Sequence, residues 1–95
     1  MIKHCIMIKL KNRSSQAKQE AKNMLLSMDG QVTMMRDFEV HTDFIGSERS
    51  YDIFLSCVLD DEKALEEYQN DKYHCAVKAY IKMVSESTVA VDSYI

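Results

Sequence analysis

Among the 95 residues, the side chains best suited to moving a proton near neutral pH are three histidines and five tyrosines, and two of them stand at a telling interval. Tyr68 closes a short run with helical period and His74 opens the next, so the two side chains can converge across the break. An imidazole with a reference pKa of about 6.5 can take up a proton at pH 7, whereas a phenol at about 10 stays protonated and can hydrogen-bond to a developing enolate. Such proton transfer beside a carbonyl needs neither metal nor cofactor, and none is expected. The same interval also fits a structural pair that closes a helix corner. His4, between Ile2 and Ile6, reads either as a core histidine satisfied by one hydrogen bond or as a third member of a pocket.

Other chemistries are disfavoured by residue type and spacing. Cys5, Cys57 and Cys75 are odd in number and form no C-x-x-C motif, which suits buried thiols in a reduced cytoplasm. The pairs His4-Cys5 and His74-Cys75 invite a zinc reading, but adjacent residues point apart on strands and helices alike. With Gly30 and Gly46 as its two glycines, the sequence cannot write a dinucleotide or phosphate-cradling loop. The net charge of −3 is uneven: residues 1–28 carry six Lys or Arg against Glu20 alone, and the remainder is acidic. Without an aromatic-basic signature this reads as a solvated helix face, not a nucleic-acid surface. No apolar run approaches the roughly 18 residues of a membrane span, and His4 and Lys9 interrupt the N-terminal stretch that a signal peptide would need.

The elements that must position these residues follow from periodicity. Ile2, His4, Ile6, Ile8 and Leu10 alternate with Lys3, Cys5, Met7, Lys9 and Lys11, the period of a strand. Ser14 or Ser15 can cap a helix carrying Ala17, Ala21, Met24, Leu25 and Met28 on one face, with Gly30 available to end it. Met34, Phe38, Val40 and Phe44 mark a second strand, and the run from Tyr51 to Leu59 a third that is apolar on both faces. Asp60 or Asp61 caps a short helix with Ala64, Leu65 and Tyr68; after a break near 70–72, Val77, Tyr80, Ile81 and Val84 continue as helix. Ser87 to Ile95 reads as strand four. The order β-α-β-β-α-β predicts a single α+β domain over residues 1–95, a ferredoxin-like antiparallel sheet with helices on one face. The second apolar face, with Met7, Cys5 and the outer side of strand three, then needs a cover, and a second copy of the chain across a two-fold axis is the economical one.

Ile2-Lys3-His4 opening a strand that ends Lys9-Leu10-Lys11, then Ser47-Glu48-Arg49-Ser50-Tyr51-Asp52-Ile53, then Tyr68-Gln69 and His74, resemble the stress-responsive A/B barrel (Dabb) family along the whole chain. The resemblance implies a homodimeric α+β barrel, closed sheet to sheet, with a cavity between sheet and helices for a small apolar or aromatic ligand. Most similar members have no assigned reaction. One plant branch includes olivetolic acid cyclase, which closes a polyketide ring by intramolecular aldol condensation without cofactor. That likeness implies His74 as base, Tyr68 as its partner, and His4 as a further pocket residue, with Tyr51 a candidate binding residue. A cofactor-free monooxygenase is the more distant analogy. This sequence departs from the cyclase where its third-strand histidine falls at Ile53, and from the family where its usual proline is Lys72. Arg49 and Asp52, flanking Tyr51, are expected to form an ion pair or turn contact.

Overall fold

A computed structural model describes residues 1–95. Strand β1 (Ile2–Leu10) is followed by helix α1 (Ser15–Leu26), strands β2 (Arg36–Thr42) and β3 (Ile53–Leu59), helices α2 (Glu62–Asn70) and α3 (Lys72–Val84), and strand β4 (Ser85–Tyr94). The sheet runs β2-β3-β1-β4 with every neighbouring pair antiparallel. This is the ferredoxin-like order predicted from the periodicities, with the second helical run divided at residue 71 as the break near 70–72 anticipates.

Each helix starts where a short polar side chain satisfies an orphan backbone donor. Ser14 accepts the Ala17 N–H at 3.1 Å, Asp61 that of Ala64 at 2.8 Å, and Asp71 that of His74 at 2.9 Å. Asp71 also ends α2, its own N–H donating to the Tyr68 carbonyl. One residue therefore fixes the corner on which Tyr68 and His74 sit. The helices bury Ala21, Leu25, Tyr68, Val77 and Ile81 against Ile2, Ile8, Leu10, Ile53, Leu55 and Leu59 of the central strands.

Asp52 is the acidic residue buried in this core, with no exposed surface at all. Its carboxylate accepts the Leu10 N–H at 2.8 Å and the Arg13 Nε at 3.0 and 3.1 Å, and Lys18 Nζ stands 3.8 Å away. Its backbone N–H donates to the Ile8 carbonyl at 2.8 Å, and Arg13 continues to the Ser50 carbonyl at 2.9 Å. The partner of Asp52 is thus Arg13, not the neighbouring Arg49, because the Asp52 side chain turns inward to the start of α1.

Three sequence expectations shift in detail. α1 ends at Leu26 with Ser27 as its cap, and Gly30 (φ +81°) serves a later turn. β2 is bulged between Arg36 and Glu39, where Asp37 takes a left-handed φ of 47°, and this bulge breaks the expected alternation. Phe44 does not continue β2: pairing stops at Thr42 opposite Ile53, the Asp43 side chain accepts the Gly46 N–H, and Phe44 is 91% exposed in the loop.

The sheet face away from the helices carries Cys5 and Met7 of β1, Phe54 of β3, and Val89 and Val91 of β4, which are cross-strand neighbours by register. Met7, Val89 and Val91 are exposed there. No helix of the chain is long and apolar enough to cross a membrane.

Removing the Asp52 carboxylate leaves the buried Leu10 N–H without its acceptor, at about 1–3 kcal/mol, and takes the ion-pair partner from the part-exposed Arg13. Asp52→Ala is therefore expected to lower unfolding free energy by about that amount, measured by urea denaturation. The double variant Arg13→Met/Asp52→Leu, which removes the guanidinium along with the carboxylate and leaves only Lys18 facing the site, is expected to be more stable than Asp52→Ala.

Candidate functional site

His4 stands midway along β1 on the helix-facing side, in register with Cys57 of β3 and Asp92 of β4. Tyr68 comes from the last turn of α2 and His74 from the first turn of α3. The Tyr68 and His74 rings stack at 3.9 Å between centroids and 29° between planes. His4 meets Tyr68 edge-on at 5.2 Å and 64°. The three side chains predicted to act together are therefore one contiguous aromatic cluster, and all three are buried.

A cavity of about 540 Å³ opens between the sheet and α3. His4, Tyr68 and His74 line it together with Ile6, Ile8, Leu25, Leu55 and Ile81; Lys78, Lys82 and the first residues of β4 complete the wall. Two buried side-chain nitrogens have no hydrogen-bond partner, His4 Nε2 and His74 Nδ1, and both belong to residues of this cavity. Unpaired polar atoms in a closed core are costly, so their place in a ligand-sized space is informative.

The electrostatics sort the roles. Burial lowers the His74 pKa from its ordinary 6.5, Lys78 and His4 add to that, and the Tyr68 backbone and Asp71 work against it. The imidazole is therefore neutral at pH 7 and able to accept a proton. Burial raises the Tyr68 pKa far above 10, and the nearby Asp92 carboxylate acts in the same direction, so its hydroxyl stays a donor. The Asp92 carboxylate hydrogen-bonds His4 Nδ1. Nε2, on the other side of the ring, has no hydrogen-bond partner. Cys57, beneath the cluster, is pushed up to about 12, chiefly by burial, and remains a thiol.

Asp92 is the member that periodicity did not single out. Its signal lay in register: once β4 is laid antiparallel to β1, Asp92 falls opposite His4 as a carboxylate on the helix-facing side. Tyr51, in contrast, is not brought to the cluster. It lies beside Met7, His41 and Phe54, with its hydroxyl 3.5 Å from Ser87 Oγ, because Asp52 next to it points inward and alternation turns Tyr51 away. His41 likewise belongs to the outer face, stacked on Phe54 at 6.4 Å. No three His, Cys, Asp or Glu side chains are grouped closely enough to hold a metal ion.

The same fold recurs in known proteins. The structure superposes on a dimeric protein of unknown function and ferredoxin-like fold from Bacteroides fragilis with a TM-score of 0.82 at 20% identity, covering 99% of this chain and 95% of that one. A dimeric ferredoxin-like protein of unknown function from Thermobifida fusca gives 0.85 at 19% identity, with 99% and 90% covered. A hydroxynitrile lyase from Passiflora edulis gives 0.84 at 10% identity, with 99% and 92% covered. No curated protein matches the sequence. The family profile described as the stress responsive A/B barrel domain matches residues 2–95, essentially every residue of the fold described above, and the chain belongs to that Dabb family.

Proposed function

We propose that this chain acts as a homodimeric, single-domain small-molecule-binding protein of the cytoplasm, whose ligand is apolar or aromatic and presents a carbonyl or hydroxyl to His4, Tyr68 and His74. The observation that carries the reading is the pair of unpartnered imidazole nitrogens on residues that line one cavity, beside an apolar patch of Ile6, Ile8, Leu25, Leu55 and Ile81. A ligand oxygen or acidic C–H placed there relieves two unsatisfied groups at once. The dimer reading rests on the open sheet face, where Met7, Val89 and Val91 remain exposed, and gains support from the dimeric state of the Bacteroides and Thermobifida proteins. Three free cysteines suit a reducing compartment.

The same nitrogens favour a second reading, a cofactor-free acid–base enzyme. The His74 imidazole takes a proton from the carbon beside a ligand carbonyl, and Tyr68 donates a hydrogen bond to the enolate oxygen that forms. The enolate carbon then attacks a second carbonyl of the same molecule, and the proton held by His74 passes to the new alkoxide, completing an intramolecular aldol closure. Asp92 holds the His4 ring with Nε2 free to accept a hydrogen bond from a ligand hydroxyl or an enol. That the Passiflora edulis neighbour is a lyase shows that this fold hosts enzymes as well as proteins of unknown role.

Three outcomes test these readings. Thermal melting against aromatic acids, diketones and fatty acids is expected to show stabilisation by one class, lost in a folded His74→Gln variant; a ligand at a hundred times its Kd adds about 2.7 kcal/mol. Deuterium exchange at the acidic carbon of a bound diketone separates enzyme from binder: turnover should fall about 10²-fold to 10⁴-fold in His74→Gln if it is the base, whereas a pure binder exchanges no faster than free diketone. For the dimer, sedimentation at micromolar concentration is expected to give two chains, and Met7→Glu with Val89→Glu to give one.

The burial of His74 also sets a pH dependence of stability. Because its folded pKa lies below 6.5, the unfolded chain binds a proton that the native state refuses. Stability is expected to be full above about 6.5, to fall as pH descends through that value, and to level off below the folded pKa. In a folded His74→Gln variant, melting temperatures measured from pH 8 to 5 should lose that component of the slope.

A further inference from the structure

We infer that the ligand of this cavity carries a carboxylate, held at the cavity wall by Lys78 and Lys82 while its apolar body lies on the cavity floor. The inference rests on the small-molecule reading above and specifies the ligand's charge.

α3 presents His74, Lys78 and Lys82 at four-residue intervals, one stripe of the helix, and all three line the cavity. The deep end of that stripe is the buried imidazole; the two lysines that follow are exposed at its rim. Neither ammonium lies within ion-pair distance of a carboxylate, and neither makes a hydrogen bond. Lys9, Arg13, Lys18 and Arg36, by comparison, are each paired. Glu86 is the one acidic residue lining the cavity, and its carboxylate is 3.9 Å from Lys9 Nζ.

The cavity wall is therefore net positive in a chain whose net charge is −3. Ile81 of α3 lines the cavity together with Ile6 and Ile8 of β1. Apolar walls that exclude water strengthen a charge pair formed at their edge. A ligand with one carboxylate and an apolar or aromatic body matches the sequence of surfaces from rim to floor. A more highly charged phosphate fits less well, because Asp71 already caps the α3 N-terminus with a carboxylate. Lys78 also stands close enough to His74 for its charge to act on the imidazole, so an anion seated at Lys78 bears on the same group that meets the ligand's reactive end.

Calorimetric titration at low ionic strength tests this with matched pairs: 2-naphthoate and 2-acetonaphthone, 4-pentylbenzoate and its methyl ester, octanoate and 2-nonanone. In at least one pair the carboxylate is expected to bind about tenfold more tightly than its neutral partner, two exposed ion pairs each contributing a few-fold. Added salt should erode that preference, and Lys78→Gln/Lys82→Gln should abolish it without weakening the neutral compound. Lys63→Gln, on α2 away from the cavity, should leave it intact. If both members of each pair bind alike, or the neutral one binds better, the charge inference falls while the cavity reading stands. If the lysine variants leave a carboxylate preference unchanged, the inference also falls. If no compound in the panel binds, the cavity reading fails and this inference with it.

Discussion

The fold depends on one carboxylate being where no water can reach it. Asp52 accepts from the β1 backbone at Leu10 and from the Arg13 side chain just before α1, and its own backbone returns to Ile8. Two segments far apart in the chain, residues 8–13 and 50–52, are thereby held at one end of the sheet. A lone buried charge would be untenable there; with a guanidinium, a lysine nearby and a backbone donor, its lone pairs are occupied. The consequence reaches the cavity, because the register of β1 against β3 that Asp52 secures at one end is the register that sets His4 opposite Cys57.

A second constraint acts at the opposite side of the helix layer. Asp71 ends α2 and begins α3 in a single residue, so the chain has no slack between Tyr68 and His74. The stacked rings follow from that lack of slack. Their burial then sets their protonation: a stacked, desolvated imidazole stays neutral and a desolvated phenol stays protonated, the forms that the proposed proton transfer beside a carbonyl requires. No metal ligand set or nucleotide loop is involved in that assignment, which rests on two side chains and their surroundings.

Much of this was legible in the sequence, and the rest was hidden for identifiable reasons. Strict alternation in β1 and the two-faced apolar run of β3 carried over because period two is set by the backbone itself. The Tyr68–His74 corner was legible because its capping residue and its interval are local. Asp52 was visible as polar before a strand, but its partner Arg13 lies 39 residues away and no local pattern links them. Phe44 misled because its position fits an alternation that the chain abandons at Asp43, where an Asp side chain bonds Gly46 and turns the backbone out of the sheet. Asp92 required knowing which strand lies next to β1.

β1 and β4 show why cavity and outer face cannot be treated separately. Even-numbered residues of β1 face the helices and odd-numbered ones the open side, so His4 and Met7 share one backbone. β4 buries almost nothing of its own; beyond Ser85 every residue is exposed. It is retained by its ladder to β1, by the Ile95 N–H on the Met1 carbonyl at 3.0 Å, by Tyr94 on Glu62, and by Asp92 on His4. An edge strand held by polar links alone is the element most prone to open locally. A partner copy seated on Val89 and Val91 would supply β4 with the apolar burial it lacks, and so hold Asp92 against His4. In the proposed dimer, assembly and the geometry of the cavity are a single problem, posed on opposite faces of the same two strands.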